Sequence, residues 1–164
     1  MDIREQKGDI TTAQNGYIFH GVNCQSKMGS GVALAISNKW PEVKEEYHRV
    51  NDPFVKENRQ DELLGSYQVV SGVEHGLSVV NAFTQYTCGH GRRFASSMAI
   101  EWSLRHFAKR LSGMHIPDEQ KRIHLPKIGG ELGGLDFEKE VIPCIENCAR
   151  WYPNVTFIIW EFEK

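Results

Sequence analysis

Cysteine is scarce in this 164-residue sequence, and its four cysteines form no Cys-x-x-Cys pair. Cys144 and Cys148 lie one helical turn apart, and no histidine stands nearby at the spacing that a zinc site needs. This pattern is more typical of two buried thiols on one helix face than of half a metal site. We therefore expect reduced cysteines and no zinc.

Long apolar runs and basic tracts are also missing. The first nine residues, MDIREQKGD, lack the apolar core of a signal peptide, and no later stretch approaches the length of a membrane span. The formal net charge is −2, so the charge pattern does not favour binding to a nucleic-acid backbone. We expect a cytoplasmic protein with no membrane and no nucleic-acid partner, although an acidic metabolite can still bind through local amides.

The common nucleotide and metal motifs are absent as well. G-x-x-x-x-G-K-[ST] does not occur, and no G-x-G-x-x-G follows the first predicted strand. There is neither an H-E-x-x-H nor an acidic cluster. We expect no metal and no cofactor, so any catalysis would rely on amides, side chains and water.

What the sequence does have is the composition of an ordinary globular domain, with 40% hydrophobic and 24% charged residues. Its length suits one domain, residues 1–164, with a real core. Predicted strands and helices alternate, and the polar stretch 51–62, which contains Pro53, is predicted to be a loop. The strands are predicted at 3–6, 16–22, 65–71, 77–83, 122–125 and 155–160, and the helices at 31–39, from Pro41 through 42–49, from a Ser96 or Ser97 cap to 111, and at 137–150.

This alternation predicts an α/β domain whose sheet is largely parallel or mixed, with helices on both faces. Ligands of such sheets bind beyond the carboxyl ends of the strands. Two glycine clusters follow predicted strands and can therefore converge on one cleft. They are the first glycine loop, Gly29-Ser30-Gly31, and the second glycine loop, residues 129–134 (GGELGG).

Each glycine loop has the features of an anion-binding turn. Glycine allows positive φ and close backbone approach, so successive amides can point at a phosphate, and the helix that follows adds its dipole. Two such loops suit a ligand with two phosphates, or a diphosphate with a further polar group. The alternative is that both are only tight turns, which are common in α/β folds.

Five segments together carry a resemblance to a known family. They are Gly8-Asp9-Ile10, the strand that ends near Asn23, and the stretches MGSGVALAI, VVNAFTQ and LPKIGGELGGLDF. In order and spacing they resemble a macro domain along nearly the whole chain. The resemblance implies a three-layer α/β/α fold with a mixed central sheet that binds ADP-ribose or its derivatives. His20, three residues before Asn23, resembles the branch that dephosphorylates ADP-ribose 1″-phosphate.

The resemblance also implies roles for individual residues. Asp9 would accept a hydrogen bond from the adenine amino group beside the Ile10 amide, Asn23 would contact the distal ribose, and Trp160 would lie beside adenine, with Phe162 as a competitor. The first loop would hold the distal ribose and one phosphate, and the second would wrap the diphosphate. The loop residues implied are Gly29, Ser30, Gly31 and Val32, then Gly129, Gly130, Glu131, Leu132, Gly133 and Gly134.

His20 and Asp136 are the candidate catalytic residues. His20 can take part in acid–base chemistry because its ordinary pKa lies near neutrality, and it stands at the end of a buried strand next to the first glycine loop. The alternative for His20 is a histidine that is hydrogen-bonded in the core. Asp136 follows the second glycine loop, and its alternative role is a helix N-cap ahead of residues 137–139.

The segment after the fourth predicted strand helps to separate the branches of the family. Deacylating relatives often use a lysine there, whereas this sequence has Gln85 and no lysine within residues 79–90. Lys27 and Lys127 can attract an anionic phosphate or be plain solvated charges. Residues 87–93 can form a substrate lid, but Cys88 does not fit a C-x-x-x-x-x-R phosphatase cradle, because Arg92 and Arg93 follow too soon.

We therefore expect an enzyme that removes the 1″-phosphate from ADP-ribose 1″-phosphate without a metal, with His20 and Asp136 as catalytic residues. The alternatives are a non-catalytic ADP-ribose-binding module and an ADP-ribosyl-ester hydrolase. The expected partner is this small molecule alone, and the expected state is a monomer.

Overall fold

Six strands form one sheet in the computed structural model, which describes residues 1–29, 31–86, 96–129 and 134–162. The predicted strands are confirmed, with shifts of a few residues at their ends. They are β1 (Asp2–Lys7), β2 (Gly16–Asn23), β3 (Tyr67–Glu74), β4 (Leu77–Gln85), β5 (Arg122–Leu125) and β6 (Thr156–Glu161).

The sheet is mixed, as predicted. Its strand order is β1-β6-β5-β2-β4-β3, and every neighbouring pair is parallel except β3 and β4, which form an antiparallel hairpin. His75 and Gly76 form the predicted turn of that hairpin, and Gly76 has the positive φ of 73° that such a turn requires. Five carboxyl ends, those of β1, β6, β5, β2 and β4, therefore lie along one edge.

Helices cover both faces of the sheet, which confirms the three-layer α/β/α prediction. α1 and α2 pack on one face, where Ile36 and Val43 meet Ile18 and Val79. α3 and α4 pack on the other face in a larger core that includes Phe19. The helices are α1 (Gly31–Lys39), α2 (Pro41–Lys56), α3 (Ser97–Ser112) and α4 (Ile142–Trp151), and a π-helical turn at Phe137–Val141 leads into α4.

The prediction of a loop at residues 51–62 was wrong for its first half. α2 continues through Pro53 to Lys56, and a short 3-10 helix follows at Gln60–Leu63. Val43, Tyr47 and Asn51 recur at every fourth position, and all three are buried. Their tertiary contacts outweigh the weakening that a proline causes inside a helix.

The remaining helix predictions hold. Ser96 is the N-cap of α3, since its hydroxyl accepts a hydrogen bond from the Ala99 amide at 3.1 Å. Cys144 and Cys148 are both buried on α4, as expected for two thiols on one helix face. Among the helices that the structure describes, none is long and apolar enough to cross a membrane.

Candidate functional site at the carboxyl edge of the sheet

The edge formed by the five parallel strand ends carries most of the predicted site residues. β1 ends two residues before Asp9, β2 ends at Asn23, and β6 contains Trp160 one residue before its end. The first glycine loop follows β2, and the second follows β5. The topology therefore brings both loops and these three side chains to one side of the sheet, where ligands of parallel sheets bind.

Asn23 folds the chain immediately after β2. Its Oδ1 accepts hydrogen bonds from the Gln25 amide and the Tyr47 hydroxyl, each at 2.9 Å, and its Nδ2 donates to the Lys27 carbonyl at 2.5 Å. The side chain is buried, and its second Nδ2 hydrogen finds no acceptor among the described residues. Asn23 thus shapes residues 24–28, which we call the exit segment, and its contact with a ribose stays a prediction.

The exit segment is also held by side chains of α2 that the sequence did not point out. Tyr47 receives a hydrogen bond from the Lys27 amide at 3.0 Å, and Asn51 receives one from the Ser26 amide at 2.7 Å. The Asp52 carboxylate accepts one from the Ser26 hydroxyl. The spacing of Val43, Tyr47 and Asn51 is the signal that could have placed these residues on one helix face.

The first glycine loop joins the exit segment to α1. Gly29 is exposed, and a Cβ at this position would have open space around it. Gly31 is the first residue of α1 and has a φ of 59°, a left-handed value that favours glycine. Val32 is half-buried against the core of the α1 side. Ser30 lies outside the described residues, so its predicted role stays a prediction.

The second glycine loop begins at a position that only glycine fits. Gly129 has a φ of 77°, and a Cβ there would lie 2.8 Å from Leu135 Cδ1 and 2.9 Å from Ile100 Cδ1. The Leu135 amide donates to the Gly129 carbonyl at 2.8 Å and closes the loop, and Gly134 also has a positive φ, 78°. The predicted ligand residues Gly130, Glu131, Leu132 and Gly133 lie outside the described residues.

Asp136 is a helix N-cap, which confirms the alternative role that the sequence left open. Its Oδ1 accepts a hydrogen bond from the Lys139 amide at 3.1 Å, and Glu140 Oε2 accepts one in return from the Asp136 amide at 2.7 Å. This reciprocal pair resembles a capping box. The residue is exposed beside the second glycine loop, so it can also meet a ligand, and its catalytic role stays a prediction.

Asp9 and Trp160 lie together at the opposite end of the edge. Asp9 Oδ1 accepts hydrogen bonds from the Thr11 amide at 2.9 Å and the Thr11 hydroxyl at 2.8 Å, and Asp9 Oδ2 finds no donor among the described residues. A Cβ at Gly8 would lie 3.6 Å from Trp160 Cζ3, so the chain before Asp9 crosses the indole ring. The buried Ile10 side chain anchors this turn.

Trp160 is fixed by a hydrogen bond to a buried histidine. Its Nε1–H donates to His124 Nδ1 at 3.0 Å, and His124 Nε2–H donates to the Asn15 carbonyl at 2.9 Å. Burial lowers the pKa of His124, which keeps the ring neutral and able to accept from Trp160. Phe162, the competing aromatic, is 68% exposed.

His20 occupies a buried position between β2 and α2. Its Nε2–H donates to Asn81 Oδ1 at 2.6 Å, and Asn81 Nδ2 in turn donates to Gln68 Oε1 at 3.1 Å. Nδ1 is buried and has no partner among the described residues, and burial lowers the pKa of His20 to about 4. This geometry matches the alternative role, a histidine that is hydrogen-bonded in the core.

The basic residues considered as phosphate ligands are held differently. Lys27 is exposed, and Lys127 lies 3.6 Å from the Glu161 carboxylate in an exposed ion pair. Both lysines are placed as solvated surface charges are, and their attraction of a phosphate stays a prediction. The candidate lid at residues 87–93, with Cys88, Arg92 and Arg93, lies outside the described residues.

No group of three or more potential metal ligands occurs within the described ranges, which leave out residues 30, 87–95, 130–133 and 163–164. Cys24, Cys144 and Cys148 are free thiols. Burial raises the pKa of Cys24 and Cys148 to about 12, so neither is a thiolate at neutral pH.

This architecture is that of a macrodomain. The macrodomain of Mycobacterium tuberculosis DarG superposes with a TM-score of 0.77 at 24% sequence identity, over 96% of both chains. Thermosipho africanus DarTG, solved in complex with ADP-ribose, superposes with a TM-score of 0.70 at 18% identity, over 98% of this chain and 42% of that chain. The chain therefore has the macrodomain fold.

Sequence comparison adds one viral relative. An uncharacterized 17.5 kDa protein from the tk–vs intergenic region of Enterobacteria phage T4 is 28% identical over 165 residues, which cover 98% of each chain. No protein-family model matches the chain.

Proposed function

We propose that this chain binds ADP-ribose at the carboxyl edge of its sheet. The observation that carries this proposal is the convergence of two glycine-loop entrances, Asp9 and Trp160 on that edge. The macrodomain fold supports it, because DarTG of Thermosipho africanus, 42% of whose chain this fold covers, was solved in complex with ADP-ribose.

Adenine would occupy the end of the edge near Asp9 and Trp160. Asp9 Oδ1 already accepts two hydrogen bonds from Thr11, so Oδ2 would accept the hydrogen bond from the adenine amino group. The Ile10 amide lies beside it, and the Trp160 indole is held in place by His124 for an aromatic contact.

The phosphates would lie between the two glycine loops. Gly29 leaves open space where a side chain would stand, and the N-terminus of α1 follows at Gly31, so backbone amides can approach an anion there. Gly129 opens the second loop in a left-handed conformation on the other side. The distal ribose would meet the remaining Nδ2–H of Asn23.

We further propose that the substrate is ADP-ribose 1″-phosphate. Water attacks phosphorus, the bond between phosphorus and the 1″-oxygen breaks, the 1″-oxygen takes a proton from solvent water, and the products are ADP-ribose and inorganic phosphate. The exposed Asp136 carboxylate beside the second loop would accept the proton of the water. Gln85, which stands where deacylating relatives often have a lysine, favours this reaction over hydrolysis of ADP-ribosyl esters.

Of the two roles open to His20, we propose the structural one. With Nε2–H bonded to Asn81 and a pKa of about 4, the ring holds no second proton at neutral pH to give to a leaving oxygen. His20→Asn should therefore leave the turnover of the folded protein within about threefold of the wild-type value, whereas general acid–base catalysis contributes about a hundredfold or more.

Three measurements together separate the three candidate functions. Calorimetry with ADP-ribose measures binding, and phosphate release from ADP-ribose 1″-phosphate in EDTA measures the proposed reaction. Release of ADP-ribose from ester-linked protein or DNA measures the hydrolase alternative. We expect binding and phosphate release; binding alone would indicate a binding module, and no binding would overturn the proposal.

We also propose that the chain acts in the cytoplasm as a single-domain monomer. The free thiols of Cys24, Cys144 and Cys148 suit a reducing compartment. Light scattering during size-exclusion chromatography measures the molar mass in solution, which should be that of one chain.

A further inference from the structure

Ser26, in the exit segment, has a backbone conformation that serine rarely adopts. Its φ is 57°, in the left-handed region, and it is one of three described residues other than glycine with a positive φ. Such a conformation persists only where surrounding contacts hold it. Ser26 lies three residues before Gly29, so its backbone direction determines where the first glycine loop begins.

Consecutive residues of α2 supply those contacts. The Ser26 amide donates to Asn51 Oδ1 at 2.7 Å, and its hydroxyl donates to Asp52 Oδ1. Asn51 is completely buried, and its Nδ2 donates to the Cys24 carbonyl at 2.8 Å. His48, one turn earlier, lies with Nδ1 at 3.3 Å from Asp52 Oδ1 and helps to orient that carboxylate.

Tyr47 extends the same helix face toward β2. Its hydroxyl receives a hydrogen bond from the Lys27 amide at 3.0 Å and lies 2.8 Å from the Asn23 carbonyl. The backbone from Asn23 to Lys27 is therefore fastened to one helix at several successive points. Locally, Asn23 holds Gln25 and Lys27 on either side of Ser26, but among the described residues only α2 supplies hydrogen bonds to Ser26 itself.

We propose that α2 is the template for the first glycine loop, and that Asn51 and Asp52 are positioning residues of the ADP-ribose site. They hold Ser26 in its left-handed conformation, so that the loop is formed before the ligand arrives. This inference rests on the proposed function. A preformed loop binds more tightly because the ligand does not have to order it.

Two pairs of variants test this template through ADP-ribose affinity, measured by calorimetry. Asp52→Ala removes the acceptor for the Ser26 hydroxyl, whereas Asp52→Asn keeps an acceptor oxygen. We expect about a tenfold loss of affinity for Asp52→Ala and less than about threefold for Asp52→Asn. Ser26→Ala should lose about tenfold, while Ser26→Gly, which suits the left-handed φ, should lose less than about threefold.

Hydrogen exchange of the Ser26 and Lys27 amides, measured by NMR without ligand, shows whether the loop itself has loosened. We expect faster exchange at both amides in Asp52→Ala and Ser26→Ala than in wild type. Asp118→Ala, which changes an exposed aspartate before β5 at the opposite edge of the sheet, is the matched control and should alter neither affinity nor exchange.

Two results would overturn the template: faster exchange with unchanged affinity, or lost affinity with unchanged exchange. A wild-type protein that does not bind ADP-ribose would instead refute the proposed function. In that case the exchange rates of Ser26 and Lys27 decide by themselves whether α2 holds the exit segment. Because Asp52 is exposed, its variants should fold, whereas Asn51→Ala would leave the buried Cys24 carbonyl without its hydrogen bond.

Discussion

The segments that lead into the two glycine loops are held in place by different means. The exit segment before the first loop is fastened by Asn23 at its start and by α2 side chains that lie 20 or more positions further along the chain. The second loop is fastened locally, by the left-handed Gly129, by its carbonyl bond to the Leu135 amide, and by the Asp136 cap that follows.

The difference shows how two similar motifs can depend on different parts of a protein. The second loop is specified by residues inside and next to it, so its conformation should respond to local substitutions. The exit segment depends on tertiary contacts in addition to the local hydrogen bonds of Asn23, so it should also respond to changes on α2. Stability measurements on variants of each loop can therefore test this difference.

The largest effect is expected at Gly129. Gly129→Ala places a methyl group within 3 Å of Leu135 and Ile100 at a φ of 77°. Overpacking and the left-handed strain together should lower the free energy of unfolding by about 4 kcal/mol, measured by urea denaturation.

Gly29→Ala is the matched control for that substitution. A Cβ at Gly29 meets no atom within 4 Å, and its φ is not positive, so the free energy of unfolding should change by less than about 0.5 kcal/mol. Equal losses at the two positions would contradict the view that close packing around Gly129 fixes the second loop.

Acid should destabilise the packing between β2 and α2. The exit segment depends on this packing because α2 holds it. The pKa of His20 is about 4 in the folded chain, against an ordinary value of 6.5, so the unfolded chain binds a proton first as the pH falls. The stabilisation that depends on neutral His20 is fully present above pH 6.5. As the pH falls to 4, the free energy of unfolding loses about 3 kcal/mol of it.

Urea denaturation across this pH range, on wild type and on His20→Gln, isolates that contribution from the other titrating groups. The difference in stability between the two proteins should shrink or change sign toward pH 4. A difference that stays constant with pH would show that folding does not lower the pKa of His20.

Much of the fold could be predicted from the sequence because its signals are local. Apolar runs marked the strands, helical spacing marked α3, and Ser96 marked its start. The Asp136 cap and the convergence of the two loops on one edge followed from the same kind of evidence. Strand order in the sheet depends on long-range pairing, and no residue pattern specified it.

The sequence did not reveal the α2 side chains that hold the exit segment, because there the local signal of a proline and the tertiary contacts disagree. Pro53 indicated a loop at residues 51–62, yet Tyr47 and Asn51 bury polar groups that bond to the exit segment, and α2 continues. His20 was ambiguous for the same reason, since its partner Asn81 lies on a different strand. A polar residue's role depends on its partners, which sequence spacing alone does not reveal.

Tyr47→Phe tests the hydrogen bonds between α2 and the exit segment, and its expected effect is smaller. The substitution removes a buried hydroxyl that serves the Lys27 amide and Asn23, so the free energy of unfolding should fall by about 2 kcal/mol. ADP-ribose affinity should fall with it. Tyr152→Phe removes a hydroxyl with no hydrogen-bond partner among the described residues and should cost less than about 0.5 kcal/mol.

The smallest stability effect is expected at Asp136, where it separates capping from catalysis. Asp136→Ala removes the acceptor of the Lys139 amide and should lower the free energy of unfolding by about 1 kcal/mol, as should Ser96→Ala at the start of α3. Asp136→Asn keeps the cap, because asparagine caps helices as well as aspartate does, and should leave stability unchanged within about 0.5 kcal/mol.

Turnover should distinguish the two Asp136 functions even though stability does not. If the carboxylate accepts the proton of the attacking water, Asp136→Asn should reduce phosphate release by about a hundredfold while ADP-ribose binding is retained. If Asp136 only caps the helix, Asp136→Asn should turn over like wild type, and Asp136→Ala should lose no more activity than Ser96→Ala. The second loop would then bind the ligand without taking part in proton transfer. The proton acceptor would lie on the other side of the cleft, where α2 holds the exit segment.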